Sequence, residues 1–461
     1  MNLNQTLKDK VGVRFSILVL VAFVQAANYY FYDAISPLKR TLETEFGFSS
    51  SDFGLFVSFY SVPNTFLLMA IVGGVILDKL GIRRTGSLFI GMMTIGGFIT
   101  AYGASTIYTS GGPMYSLMSS FMPNYSPELK MMLLGRFFYG LGAETSIVVI
   151  SKIIVKWFKG KELALAFGMK IGIARLGSFA AFYFSPIIKD NASHWTVAIW
   201  FASILLGIGL LAFLYYTIFD RKLDRQTNDQ TTLLKQDERF SMSDLGNLLT
   251  NRSFIYVSLL CLTFYSAVFP FQSFSPDFFL NKFGLDEQSS GKIASYLSLG
   301  TMFFTPFFGF LVDKIGRSAT FMIFGSVLLV LIHLTFALTM INPIIPMVLL
   351  GVTFSLVPAA MWPTVAKIVD EKKIGTAYGT MFSIQNLGLW AFPLLIGIVL
   401  DRTNPEITEA VKATGNYAYD YTWAILMLAG LGVVGLVFAL LLKREDKVAG
   451  YGLELPSNKK E

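Results

Sequence analysis

Runs of apolar residues, each about 20–26 long and separated by short polar stretches, recur along the whole chain. Twelve stand out: 14–37, 51–77, 85–108, 129–154, 163–188, 196–219, 253–279, 291–312, 319–341, 344–368, 375–400 and 421–442. At 1.5 Å rise per residue, each run makes a helix long enough to cross a hydrocarbon core of about 30 Å. The pattern predicts twelve membrane-spanning helices. A soluble protein with buried helices does not account for so regular a punctuation. The first run follows MNLNQTLKDKVGVRF and shows no small-residue cleavage site, so it is expected to be a retained span rather than a removable leader.

Composition agrees: of 461 residues, 54% are hydrophobic and 15% charged, and the mean hydropathy is +0.58. The net charge of +7 invites a nucleic-acid reading, but its distribution argues otherwise. With the N-terminus placed in the cytoplasm, Lys and Arg on the inner side outnumber those on the outer side about threefold, as the positive-inside rule demands. Both termini are therefore expected inside, with a basic surface facing anionic lipid. Cys261 is alone, so no internal disulfide forms, and it reads as a small core residue.

The longest polar interruption, about 220–252, divides the chain into six spans and six spans. The expected organisation is an N-terminal bundle (1–219), a cytoplasmic linker (220–252) and a C-terminal bundle with a short tail (253–461). A repeat supports the division. GVILDKLGIRR at 74–84 and GFLVDKIGRS at 309–318 share G-x-x-x-D-K-x-G followed by Arg, with their first glycines 235 positions apart. Gly74 and Gly309 are expected to let neighbouring helices close up, and Gly81 and Gly316 to make tight turns. Asp78 and Asp313 can accept hydrogen bonds from Arg83, Arg84 or Arg317, from Lys, or from a helix N-terminus. Such contacts suit a switch that forms in one conformation and breaks in another.

The duplicated loop resembles the signature of the major facilitator superfamily. GRFFYGLGA (135–143) resembles that family's fourth-helix motif. In the first copy Ile82 is inserted ahead of Arg83 and Arg84, which blurs which arginine takes the family role. The resemblance implies an all-α membrane protein of twelve helices in two pseudo-symmetric six-helix bundles, working by alternating access. WFKGKELALAFG (157–168), IARLGS (173–178), YSAVFPF (265–271) and GTAYGTMFSIQNLGL (375–389) further resemble the lysosomal dipeptide transporter subgroup. That resemblance implies transport of dipeptides, by facilitated diffusion.

Ionisable groups at mid-span cost about 2.5–3.5 kcal/mol each and so need a partner or a function. They are few: Asp33 in span one, Arg136 and Glu144 in span four, Lys170 and Arg175 in span five. Glu144 and Arg175 fall at similar depth on consecutive helices. They suit a zwitterion, with Glu144 on the ammonium and Arg175 on the carboxylate, or else a structural ion pair. Arg136 is open to a substrate role or a tie to Asp33. Lys170, five residues from Arg175, faces another side, toward the inner water or an acidic substrate. Tyr29 is a further candidate contact in span one. The second half offers aromatic and amide groups: Tyr265 and Gln272 in span seven, Trp362 in span ten, Gln385 and Asn386 in span eleven. These suit varied side chains and a peptide bond, or helix packing and interhelical hydrogen bonds.

Span one, QAANYYFYDAISPL, lacks the E-x-x-E-R pattern of proton-coupled peptide carriers, which favours uniport. Asp33 and Glu144 are the acidic candidates for proton coupling. His194 falls in an outer loop and His333 at a helix interface. The expectation is a monomeric carrier of a small solute in a lipid bilayer, not an enzyme, with no nucleic-acid partner, cofactor or metal. No H-E-x-x-H or G-x-S-x-G is present. The rival readings are a proton symporter, an organic-anion exchanger held by Arg136, Lys170 and Arg175, and a non-transporting nutrient sensor. A cell inner membrane is the favoured location and the lysosomal membrane the alternative. DQTTLL (229–234) resembles a dileucine sorting signal, and Asn124 and Asn191 stand in N-x-S stretches of outer loops.

Overall fold

The computed structural model describes residues 6–227, 246, 248–370 and 373–456. DQTTLL lies outside them, as does most of the expected linker.

Apart from 51–77, each apolar run falls largely within one helix, and some helices extend past their run at both ends, as Pro127–Phe158 does around 129–154. In the first part of the chain the helices are α1 (Val11–Asp33), α2 (Lys39–Phe46), α3 (Ser50–Phe59), α4 (Val62–Phe66), α5 (Met69–Gly103), α6 (Pro127–Phe158), α7 (Leu163–Asn191) and α8 (Val197–Thr227). The second part has α9 (Arg252–Phe283), α10 (Glu287–Ile315), α11 (Ser318–Leu338), α12 (Ile344–Ile368), α13 (Ile374–Thr403) and α14 (Thr422–Ala449). α8 continues through Thr227, eight residues into the stretch expected as linker.

Among the described residues, 11 helices are long and apolar enough to cross a membrane. The twelfth apolar run, 51–77, is present but broken into α3, α4 and the start of α5. Pro63 cannot donate to the carbonyl of Phe59, where α3 stops. Leu68 then takes a left-handed φ of 51°. α5 is itself two helices joined at Gly81, whose φ of 77° and ψ of 170° only glycine adopts without strain.

The chain divides into two compact units. The first comprises Met1–Ile35, Val62–Ala181 and Ile188–Asp237. The second comprises Ser36–Ser61, Phe182–Ile187 and Glu238–Glu461. In the first unit α5 packs along α6, and α8 packs on both α1 and α5. Backbones meet where glycines sit. A Cβ on Gly142 would lie 2.0 Å from Phe89 O, and one on Gly96 would lie 2.2 Å from Tyr139 N. Gly177 brings α7 onto α1, where a Cβ would lie 2.1 Å from Ala26 O. The reading of Gly74 and Gly309 as contact glycines is corrected: a Cβ on either would meet nothing within 4 Å. One helical step of about 100° decides it. Gly73, not Gly74, faces α6, and its Cβ would lie 2.4 Å from Thr145 Oγ1.

In the second unit α9 contacts α10, α12, α13 and α14, while α11 packs on α12 and α14. α3 lies along α13, held by two close approaches and a cap. Cβ atoms on Gly54 and Gly397 would lie 2.3 Å from Pro393 O and 2.2 Å from Ser50 O. Asp401 accepts from the backbone N–H of Ser50 at 3.0 Å and of Ser51 at 2.8 Å, placing a carboxylate at the α3 N-terminus. His333 is fully buried, its ring nitrogens 2.9 Å from Leu329 O and 3.2 Å from Ala267 O, so it ties α11 to α9.

Candidate functional site

In the first unit three helices bring five of the candidate residues together. α1 carries Tyr29 and Asp33, α6 carries Arg136 and Glu144, and α7 carries Arg175. The Arg175 guanidinium lies 5.3 Å from the centre of the Tyr29 ring. Tyr29 is within electrostatic reach of Arg175, Glu144 and Asp33, and Tyr32 of Asp33, Arg136 and Glu144. Asp33 sits beside Ser178 of α7, with Arg175 and Arg136 in range.

Burial separates these charges into two kinds. Arg136 is 1% exposed and Asp33 3%. The Arg136 guanidinium donates to Tyr32 O at 3.3 Å and lies 5.5–5.8 Å from the ring centres of Phe31, Tyr32 and Tyr139. Glu144 and Arg175 are only half-buried. Glu144 and Arg175 are therefore more open to a solute in this conformation than Arg136 and Asp33. Tyr32, Tyr139 and Asn28 complete the surroundings and were not singled out from the sequence; Tyr139 OH donates to Asn28 O at 2.9 Å. The signal for Tyr32 was there in NYYFYD, where it follows Tyr29 by three positions and shares its face.

The second unit has its own group. Trp362 Nε1 donates to Tyr265 OH at 3.1 Å, and the Trp362 ring stacks on Phe382 with centres 4.6 Å apart. Phe269 and Phe354 pack on Tyr265. Gln385 accepts from the buried Cys261 thiol at 3.5 Å. Asn386 is 1% exposed and donates to Phe382 O on its own helix. Gln272, about 10 Å along α9 from Tyr265, donates to Ser298 Oγ at 3.2 Å and bridges α9 to α10.

The two copies of the repeated loop are built differently. Gly81 and Gly316 both adopt positive φ, 77° and 74°. In the first copy Asp78 pairs with Lys152 at 2.7 Å. Arg83 pairs with Asp220 at 2.8 Å and with Asp224, both of which also bind Lys156, while Arg84 is exposed. Of the two arginines after the Ile82 insertion, Arg83 therefore makes the ion pairs. In the second copy Asp313 and Arg317 are exposed, and Arg317 takes a left-handed φ of 56°. Here the C-terminal segment covers the turn. Arg317 N–H donates to Glu454 O at 3.1 Å, and the Glu454 carboxylate caps α11 at Thr320 N, 2.9 Å away.

One buried cluster escaped the sequence reading. In the second unit Lys39 Nζ lies 2.8 Å from both Glu43 Oε1 and Asp277 Oδ2, and all three side chains are 2% exposed or less. Tyr417 OH and Tyr419 OH donate to Glu43 at 2.8 and 3.1 Å, and Tyr421 OH donates to Asp277. Burial, then the neighbouring Glu43, pushes the Tyr417 and Tyr419 phenols far up, so they stay donors. The alternation Y-x-Y-x-Y at 417–421 was the available signal, since extended chain puts such residues on one side.

Comparison with known proteins agrees with this architecture. The family model of the Major Facilitator Superfamily matches residues 18–393 and 278–457, and the chain belongs to that superfamily. It is a multi-pass integral membrane transporter. It is 32% identical over 414 residues to the mouse (Mus musculus) protein named lysosomal dipeptide transporter MFSD1, covering 87% of this chain and 83% of the relative. The human (Homo sapiens) counterpart is 31% identical over 406 residues, covering 85% and 81%. Among solved structures a point mutant of the nucleoside transporter NupG superposes with a TM-score of 0.68 at 15% identity, over 92% of this chain and 99% of that one. That likeness shows the fold alone.

Proposed function

We propose that this transporter carries small zwitterionic solutes, dipeptides foremost, as a uniporter working by alternating access. The observation that carries the reading is the pair of half-buried, oppositely charged side chains Glu144 and Arg175, flanking Tyr29 in one bundle. A dipeptide presents an ammonium and a carboxylate at its two ends. Glu144 takes the ammonium, and Arg175 takes the carboxylate through two parallel N–H donors, a geometry lysine cannot offer. Tyr29, already against the guanidinium, orients it. The names of the mouse and human relatives support the same substrate class. Tyr265, Trp362 and Gln385 are the second bundle's candidates for side-chain contact. Gln272 and Asn386 are assigned to helix packing. Arg136 and Asp33, enclosed together, are assigned to positioning α1 against α6, with Asp33 and Glu144 the acidic groups on which any proton coupling would rest.

The test is uptake of labelled dipeptides into proteoliposomes, with and without a pH gradient. Glu144→Gln and Arg175→Ala are each expected to abolish uptake while the protein stays monodisperse. N-acetylated and C-amidated dipeptides are expected to compete poorly, since each lacks one charged end. Near-normal transport by either variant overturns the two-ended clamp, and uptake driven by the pH gradient overturns uniport.

A further inference from the structure

Lys170 of α7 is 8% exposed, deep in an apolar helix. Its ammonium donates to Ser151 Oγ at 2.9 Å and lies 5.9 Å from the Phe167 ring centre. No carboxylate pairs with it among the described residues. The other buried lysines and Arg14 are better served. Lys39 meets Glu43 and Asp277, and Arg14 meets Glu162. Lys130 and Lys412 donate to main-chain carbonyls. An ammonium has three N–H donors, and a single hydroxyl is a weak counterpart for a charge taken out of water.

The place where this charge is held relates it to the clamp. Ser151 follows Glu144 by seven residues on α6, two turns on, with a net rotation of only about 20°. The hydroxyl that holds Lys170 therefore lies on the Glu144 face of α6, about 10 Å further along the helix axis. On α7, Lys170 precedes Arg175 by five residues, about 7.5 Å along the axis and about 140° around it. It reaches the Glu144 face of α6 through its four-carbon stem. The same stripe of α6 thus presents a carboxylate at one level and a borrowed ammonium two turns away. Ser151 is itself half-buried, so this level of the stripe is not sealed.

We propose that Lys170 is a specificity-determining anion subsite, which takes the side-chain carboxylate of an aspartyl or glutamyl residue in the substrate. The inference rests on the dipeptide reading. With the two ends held by Glu144 and Arg175, an acidic side chain extended along the α6 stripe approaches the Lys170 ammonium, and the stem of the lysine covers the remaining distance. The substrate carboxylate then supplies the charge partner that α6 and α7 do not. Net −1 dipeptides gain an interaction that neutral dipeptides lack.

The experiment compares Ala-Glu, Ala-Ala and Ala-Lys as substrates of the full-length protein in proteoliposomes, reading kcat/KM for each. The wild type is expected to favour Ala-Glu over Ala-Ala. Lys170→Met is expected to lower that ratio about tenfold or more, the size of a charge-assisted hydrogen bond. Lys170→Arg should retain the ratio, and Lys170→Glu should turn the preference toward Ala-Lys. An unchanged ratio in both Lys170→Met and Lys170→Glu overturns the subsite, as does an equal loss for all three substrates in Lys170→Arg. Failure of the wild type to move any of the three dipeptides overturns the substrate class itself. A wild type that moves all three with equal kcat/KM leaves the substrate class standing and overturns the subsite alone.

Discussion

Replacing Lys39 by Met isolates what the buried cluster of the second unit contributes. The ammonium sits 2.8 Å from each of two carboxylate oxygens, and it is fully enclosed. At an effective dielectric of about 20, each contact has a gross attraction of about 6 kcal/mol. Most of that is cancelled by the several kcal/mol needed to dehydrate each ion. The substitution does not simply subtract the net remainder. It leaves Glu43 and Asp277 buried with no cation between them, held only by the phenols of Tyr417, Tyr419 and Tyr421 and by Ser50, which donates to Glu43 at 3.2 Å. Removing one partner of a buried pair costs about 3–5 kcal/mol, so Lys39→Met should lose about that much unfolding free energy. The triple variant Lys39→Met, Glu43→Gln, Asp277→Asn should recover most of the loss, because the amide oxygens still accept from the tyrosines and no charge remains. Unfolding titrations of the protein in mixed micelles read both differences. A loss below about 1 kcal/mol for Lys39→Met, the range of an exposed pair, refutes the reasoning. So does a triple variant as unstable as the single one.

Two glycines of the first unit should respond with opposite sign. Gly142→Ala forces a Cβ to 2.0 Å from Phe89 O and should destabilise by about 1–3 kcal/mol or more, whereas Gly74→Ala, with open space around it, should be neutral or stabilising by up to about 1 kcal/mol; thermal unfolding in detergent ranks them. Asp286, the N-cap of α10, accepts from Ser289 N–H at 2.8 Å and Ser289 Oγ–H at 2.7 Å. These hydrogen bonds hold its carboxyl below the usual range. A depressed carboxylate contributes stability that is present above its unfolded value, about 3.9, and lost as pH falls through its folded value. The difference between wild type and Asp286→Ala should therefore be constant from pH 7 to 5 and shrink below about 4, and a difference that grows in acid contradicts the assignment.

The helices were legible because an apolar run of 20 or more residues in lipid has one way to satisfy its backbone. The break in the 51–77 run was legible in part, through Pro63, but the left-handed Leu68 carries no local mark. Glu144, Arg175, Arg136 and Asp33 were visible because a charge inside such a run is costly and therefore rare. What separates them is exposure, which no run of letters displays. Arg136 is enclosed by rings from α1 and α6 and Asp33 is buried, whereas Glu144 and Arg175 are half-buried.

The sequence by itself determined the apolar runs that become helices, the two-fold repetition and the short list of charges that had to be explained. Each follows from a local cost: an unsatisfied amide, an unpaired charge, a turn only glycine can make. The tertiary structure alone decided which residues meet. Lys39 and Glu43 look like an ordinary exposed helix pair until Asp277, 238 positions from Lys39, and Tyr417, 374 positions from Glu43, close over them. Gly73 rather than Gly74 became the contact because helix phase, set by packing against α6, assigns the face. Lys170 acquired a place beside the Glu144 stripe only when α7 laid its side chain across Ser151. Burial and proximity are properties of the packed whole, and the free energy of a charge depends on both.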